Sequence, residues 1–230
     1  VLRNPNATAF NLEGRDANLT PDIRRFLTKP SLVLVTKADR RSTVHRSVPL
    51  DIIDVKKIDA SGKVVGHRIF VGLFTSVAYN KSPRDIPLLR RRLTKVIEAA
   101  GFDRSSHDGK ALIHILESLP RDELFQIGEK ELREMATGIL HLQERQKVAM
   151  FVRRDPFGRY VSCLVYVPRD RYTTRLRRQL QNVLSNGFGG QVTAFYTQLS
   201  DEVLARLHFI VKTEPGKAFP KKVGDIEVDV

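Results

Sequence analysis

The densest run of groups able to hold an anion is Thr36-Lys37-Ala-Asp-Arg-Arg41-Ser42-Thr43-Val-His45-Arg46. Lys37, Arg41 and Arg46 bring positive charge, Ser42 and Thr43 bring hydroxyl donors, and His45 adds a ring nitrogen. Gathered in a compact loop, they suit a carboxylate or a phosphate. The same residues also make a solvated connection between two strands, and their spacing leaves both readings open. His45 has no thiol or nearby acid in sequence to activate it for catalysis. His114 and His141 fall on helical stretches with no Cys or second His within a turn of either, which argues against a metal. Gly187-Phe-Gly-Gly190 follows a helix instead of opening one, so it reads as a turn and not as a pyrophosphate cradle. Phosphate loops, nucleophile elbows, paired catalytic carboxylates and zinc spacings do not occur in the chain.

Stepping outward to the elements, the stretch from Val148 to Lys212 organises the chain. Two runs rich in Val, Tyr and Phe flank Asp155-Pro-Phe-Gly158, where Pro presets φ and Gly accepts the positive φ that closes a hairpin. Thr173 caps a helix carrying Leu176, Leu180, Val183 and Leu184 at helical spacing, with Asn186-Gly187 as its stop. Strand-like runs follow at Gln191 to Gln198 and Arg206 to Lys212. In the second hairpin strand, alternation puts Val161, Cys163, Val165 and Val167 on one face and Tyr160, Leu164 and Tyr166 on the other. A strand apolar on both faces is either central, under a helix on one side and other cover on the second, or part of a sheet that pairs with a second module, in which case Tyr160, Leu164 and Tyr166 are candidate interface residues.

Upstream, Leu32 to Val35, Val48 to Ile58 and Val64 to Phe74 read as strands, the last two joined by a turn at Asp59-Ala-Ser-Gly62. Pro49 suggests an edge position. Ser82-Pro83-Arg-Asp85 signals a helix start, with Ile86, Leu89, Leu93, Val96 and Ile97 as its apolar stripe and Gly101 as its stop. A second helix opens at Ser106 or Asp108 and ends before Pro120. Arg121 to Gln126 forms a short turn, and Gly128 to Arg145 a further helix with Leu132, Met135, Ala136 and Ile139 inward.

The chain has 230 residues, 41% of them hydrophobic, which is a globular composition with room for two modest domains. No run approaches the roughly 20 apolar residues of a spanning helix, and no signal-peptide pattern opens it, so a cytoplasmic protein is expected. The lone Cys163 excludes an internal disulfide and fits a reducing compartment. Beginning at Val1 without Met, the chain reads as a segment of a longer polypeptide. Its net charge of +13 favours polyanionic partners, but Arg90 to Arg92 and Arg175, Arg177 and Arg178 sit within amphipathic helices and acids intersperse the rest. A solvated basic face is the plainer reading. A basic nucleic-acid-binding module is the alternative class, and no recognition motif accompanies the charge.

Longer strings carry a resemblance. Arg41-Ser-Thr-Val-His45-Arg46, Gly72-Leu-Phe-Thr-Ser76 with Tyr79, Ser82-Pro-Arg84, Ile86-Pro-Leu-Leu-Arg-Arg91, Ser106-His-Asp-Gly-Lys110 and Pro120-Arg-Asp-Glu-Leu-Phe-Gln126 recur in order. So do Phe151-Val-Arg-Arg-Asp-Pro156, Val161-Ser-Cys-Leu-Val-Tyr-Val-Pro-Arg-Asp-Arg171 and Leu204-Ala-Arg-Leu-His-Phe-Ile-Val211. From about residue 31 to 213 the chain resembles the N-terminal regulatory region of the large bacterial NAD-specific glutamate dehydrogenases. That resemblance implies an α+β fold of two small, mostly antiparallel sheets joined by a helical connector. It divides into a lead-in segment (1–30), a PAS-like domain (31–80), the connector (81–146), an ACT-like ferredoxin-type domain (147–213) and a linker (214–230). A second helix of the ACT-like domain is expected at Ser200 to Ala205.

The resemblance implies a parent enzyme that deaminates glutamate to 2-oxoglutarate and ammonia with NAD, as a homotetramer. No catalytic position of that family has a counterpart here, and neither catalytic nor cofactor-binding residues are expected in this segment. The expected partners are the rest of the parent chain and other subunits. An amino-acid effector is expected near Asp155 to Gly158 or around Arg171 to Arg175.

Overall fold

Strand-forming residues do not run out at Val35. In the computed structural model, which describes residues 32–44, 47–143, 147–199 and 202–230, β1 continues as Val33–Arg41, carrying Thr36 and Lys37 inside the strand instead of in a loop. It pairs antiparallel with β2 (Pro49–Ile58), which pairs with β3 (Val64–Gly72), in the order β1-β2-β3. β2 is therefore the middle strand and not an edge. Pro49 is tolerated because it is the strand's first residue, where a missing N–H costs little. The turn to β3 is the one expected: Asp59 Oδ1 accepts from the amides of Ser61 and Lys63, and Gly62 takes a φ of 83°.

The chain divides into two compact units, Val1–Arg133 and Glu134–Val230. In the first, β3 leads to α1 (Ser76–Asn80), a 3-10 turn at Pro83–Asp85, α2 (Pro87–Ala100), α3 (His107–Ser118), α4 (Arg121–Gln126) and the start of α5 (Glu129–Gln143). Ser82 caps only the 3-10 turn. Helix α2 begins later than expected because Pro87 pushes the residue before it, Ile86, into an extended conformation (φ −98°, ψ 112°). Ser106 caps α3 by accepting from the Gly109 amide. The apolar stripes pack as read, with Leu89, Leu93, Leu112, Leu116 and Leu132 at most 2% exposed, and Leu124 joins them because Arg121–Gln126 is a short helix and not a turn. Each such side chain contributes about 1.5–3 kcal/mol by its burial.

In the second unit, β4 (Ala149–Arg154) and β5 (Tyr160–Pro168) form the hairpin, with Gly158 at φ 68°. A 3-10 turn, Arg169–Arg171, leads to α6 (Thr174–Phe188), followed by β6 (Gln191–Gln198), β7 (Leu204–Lys212) and α7 (Val223–Asp229). Thr173 caps α6 by accepting from the Leu176 amide. The helix runs past Gly187 to a left-handed Gly189, since Gly187 is a packing site: a Cβ there would lie 2.7 Å from Ile226.

The sheet order is β4-β5-β7-β6, antiparallel throughout. β5 and β6 thus run parallel on either side of β7, joined by α6 as a split β-α-β unit. This is a ferredoxin-type sandwich in which the last strand of the usual β-α-β-β-α-β order stands first, as β4. The second helix is α7; of the stretch expected to form it, Ser200 and Asp201 lie outside the described residues, and Leu204 and Ala205 belong to β7. Residues after 213 are accordingly part of the packed module, with Ile226 fully buried in its core.

Candidate functional site

The polar run around β1 does not assemble into one anion cup. Alternation along β1 turns Lys37 to the same face as Asp51 in β2, its direct register partner. Lys37 Nζ lies 2.6 Å from Asp51 Oδ1 and 3.0 Å from Asp122 Oδ1 on α4. Tyr79 on α1 donates to the same Asp122 oxygen at 3.1 Å, and Asp51 Oδ2 accepts from the Phe74 amide at 3.0 Å. Burial alone would lower the Lys37 ammonium, but the Asp122 and Asp51 carboxylates outweigh it and hold the group above its ordinary value. Burial, then Asp122, push the Tyr79 phenol up to about 12. The cation is saturated by its own chain: this is a latch between sheet and helices.

Arg41 donates to the Ser47 carbonyl at 2.6 Å, and Ser42 Oγ bonds Val44 N and O, so both shape the turn between β1 and β2. Thr43 is exposed. His45 and Arg46 lie outside the described residues.

In the second unit the β4–β5 turn is tied by a buried forked pair. Arg159 donates through Nε to Asp155 Oδ2 at 2.7 Å and through Nη2 to Oδ1 at 3.0 Å. Its backbone amide also reaches Oδ2, and its guanidinium lies over Phe157, 4.8 Å from the ring centre. Both oxygens of Asp155 are engaged, and its side chain is fully buried. Arg171 and Arg175 are exposed at the other end of β5, one within the 3-10 turn and one in the first turn of α6. The strand's rise of about 3.4 Å per residue separates the two ends by roughly 27 Å. Asp155 and the two arginines therefore belong to different places.

Of the candidate interface residues, Leu164 is 1% and Tyr166 5% exposed within a single chain. Phe151 packs edge-on to Tyr166 at 6.0 Å, and Gly138 on α5 lies so close that a Cβ would come 2.6 Å from the Phe151 ring. The second half of α5 thus covers the face opposite α6, and the two-sided strand finds its cover inside its own unit. Tyr160 is half-buried beneath the guanidiniums of Arg153 and Arg159.

Two further polar pairs are marked by no motif in the sequence. Ser162 Oγ and His208 Nε2 lie 2.8 Å apart across β5 and β7. A hydroxyl beside an imidazole has the elements of a nucleophile and base, but both are sealed in the sheet, where the bond satisfies two buried groups. His67 Nδ1 lies 2.8 Å from Asp54 Oδ2, with Asp54 wholly buried. Alternation could have flagged both, since it puts a polar residue on an otherwise apolar strand face. Among the described residues no group of three His, Cys, Asp or Glu is placed to hold a metal ion, and no helix is long and apolar enough to cross a membrane.

Comparison with known proteins agrees with this architecture. Residues 149–230 match the glutamate dehydrogenase ACT2 domain, and residues 86–145 match glutamate dehydrogenase helical motif 1. The chain is 44% identical over 187 residues to an NAD-specific glutamate dehydrogenase of Halomonas elongata, covering 81% of this chain and 12% of that protein. It is 42% identical over 190 residues to the Pseudomonas aeruginosa enzyme of that name, covering 83% and 12%. A Mycobacterium tuberculosis relative is 39% identical over 151 residues, covering 66% and 9%. The chain thus spans about one-eighth of the length of its first two relatives. With helices and a sandwich matching two named regions of one enzyme in their order, the chain belongs to the NAD-specific glutamate dehydrogenase family, as a segment holding helical motif 1 and the ACT2 domain.

Proposed function

We propose that this segment is a noncatalytic regulatory and assembly region of an enzyme that converts L-glutamate, NAD and water to 2-oxoglutarate, ammonia and NADH. The observation that carries this reading is the complete ACT-type sandwich in residues 149–230, whose buried polar pairs Asp155–Arg159 and Ser162–His208 are spent on holding it together. NAD and substrate would be handled by other parts of the polypeptide, and the segment's partners would be those parts and further subunits. The carboxylate of an amino-acid effector would accept from the guanidiniums of Arg171 and Arg175, which stand exposed where β5 passes into α6. Asp155 takes no part, because Arg159 occupies it.

Isothermal titration of the chain with the common amino acids tests the binding half. Saturable heat that disappears in an Arg171→Ala/Arg175→Ala variant of unchanged melting temperature is expected, and silence across the panel would remove effector binding. Regulation itself requires a measured coupling between that site and turnover. In the whole enzyme the effector must shift the apparent affinity for glutamate, and must stop doing so in the double variant.

A further inference from the structure

Burial runs out across the first sheet at β3. In one row, Val35 of β1 is 6% exposed, Ile53 of β2 is half-buried and Phe70 of β3 is 53% exposed. On the opposite face, Asp54 of β2 is wholly buried while its register partner Ile69 is 42% exposed. β3 is thus open at large apolar side chains on both faces. A strand rich in β-branched residues and apolar on both faces has the composition of a central strand. Here it stands at the rim, with β2 as its one ladder neighbour among the described residues. Its pairing with β2 is regular from Gly66 to Gly72, so its outer side is an unbroken edge. Charge and proline are the usual guards of such an edge. β3 has no proline, and His67 is drawn to Asp54 at 2.8 Å, which leaves Arg68 as the one guard.

We infer that β3 is an inner strand of the parent enzyme's sheet, and that an extended segment of the same polypeptide, from outside these 230 residues, pairs along its outer edge. The segment brings apolar side chains on both faces, to lie beside Ile69 and Val71 on one and Phe70 on the other. A second copy of this chain fits the edge less well. It would satisfy the outward backbone groups, but it would lay its own equally bare β3 alongside and leave most of Phe70 and Ile69 in water. A segment that continues into further layers of the enzyme covers them as it pairs. The chain spans about one-eighth of the length of its first two relatives, so most of a parent of that length is available to supply it. This pairing does not depend on the regulatory reading, since a segment that binds no effector would have the same open edge.

Hydrogen exchange on the whole enzyme and on the 230-residue chain, side by side, tests it. Within Gly66 to Gly72, alternate amides point away from β2. In the separate chain they should exchange fast, and at one rate from about 10 μM to about 1 mM, the weak end of specific association. In the whole enzyme they should slow by roughly tenfold or more, towards the amides bonded to β2. Phe70→Ser should leave the melting of the separate chain unchanged, since that ring is half open to water, and should quicken the outward amides of the whole enzyme several-fold. Equal exchange in the two proteins, or an enzyme unmoved by Phe70→Ser, overturns the inference. Protection in the separate chain that rises with concentration overturns it too, because a second copy is then the occupant. Should the separate chain not fold, the whole enzyme decides alone: outward amides as slow as inward ones uphold the pairing, and outward amides that stay fast refute it.

Discussion

Replacing Lys37 by Met removes one positive charge from between two carboxylates and leaves the shape of the side chain nearly intact. Asp51 is 6% exposed and Asp122 37% exposed, so the first carboxylate is stranded in a poorly solvated place while the second can turn to water. Breaking a buried pair costs about 3–5 kcal/mol. The Phe74 amide still holds Asp51, and Asp122 can rehydrate, which brings the expected loss to about 3 kcal/mol, or roughly 10 °C in melting temperature. Combining Lys37→Met with Asp51→Asn should cost less than the sum of the single changes by about 1–2 kcal/mol, because the second change removes the stranded charge.

The latch also predicts a pH dependence. Lys37 is held above its ordinary value in the folded chain, so its contribution is complete below about pH 10.4 and falls as the unfolded chain's lysine deprotonates above that. The stability gap between wild type and Lys37→Met should therefore be constant from pH 7 to 10 and narrow beyond it. Urea denaturation across that range, followed by circular dichroism, is the assay. A variant within about 0.5 kcal/mol of wild type, the scatter of ordinary surface substitutions, or strict additivity with Asp51→Asn, would refute the latch.

Asp155→Asn should destabilise the second unit by about 2–4 kcal/mol, since it leaves the Arg159 guanidinium buried beside a neutral partner; chemical denaturation measures it. Gly138→Ala should cost about 1–3 kcal/mol through its clash with Phe151, and Phe151→Leu should recover part of that loss in the double variant. Gly187→Ala should act likewise against Ile226, loosening α7 and raising exchange at its amides before the rest of the unit responds. Arg171→Ala/Arg175→Ala should leave melting unchanged, as both side chains are exposed.

The elements were legible wherever the signal was local. Thr173 as a cap, Asp155 to Gly158 as a turn, Ser106 as a helix start and the alternation of β5 all rest on interactions within a few residues, and each stands as read. What escaped was set by distant partners. Lys37 looks like a loop cation until Asp51, fourteen positions on, and Asp122, far beyond it, close around it. Asp155 looks available until Arg159 folds back onto it. Helix α2 starts later than Ser82-Pro83 suggests, because the second proline, Pro87, holds Ile86 extended. Helix α7 is hard to read because its short sequence, Val-Gly-Asp-Ile-Glu-Val-Asp, has one fully buried residue, Ile226, whose socket at Gly187 lies on another helix.

The strand that completes the sandwich arrives from its front. β4 follows α5 directly, lies at the rim of the sheet with one neighbouring ladder to hold it, and receives α5 on its Phe151 side and α7 on the other. In a ferredoxin-type sheet whose final strand comes last, that rim belongs to whatever follows. Here it belongs to a strand whose Phe151 ring is pressed against Gly138 of α5, so a change of side-chain bulk on the second half of that helix is felt first at the outermost plank of the sheet.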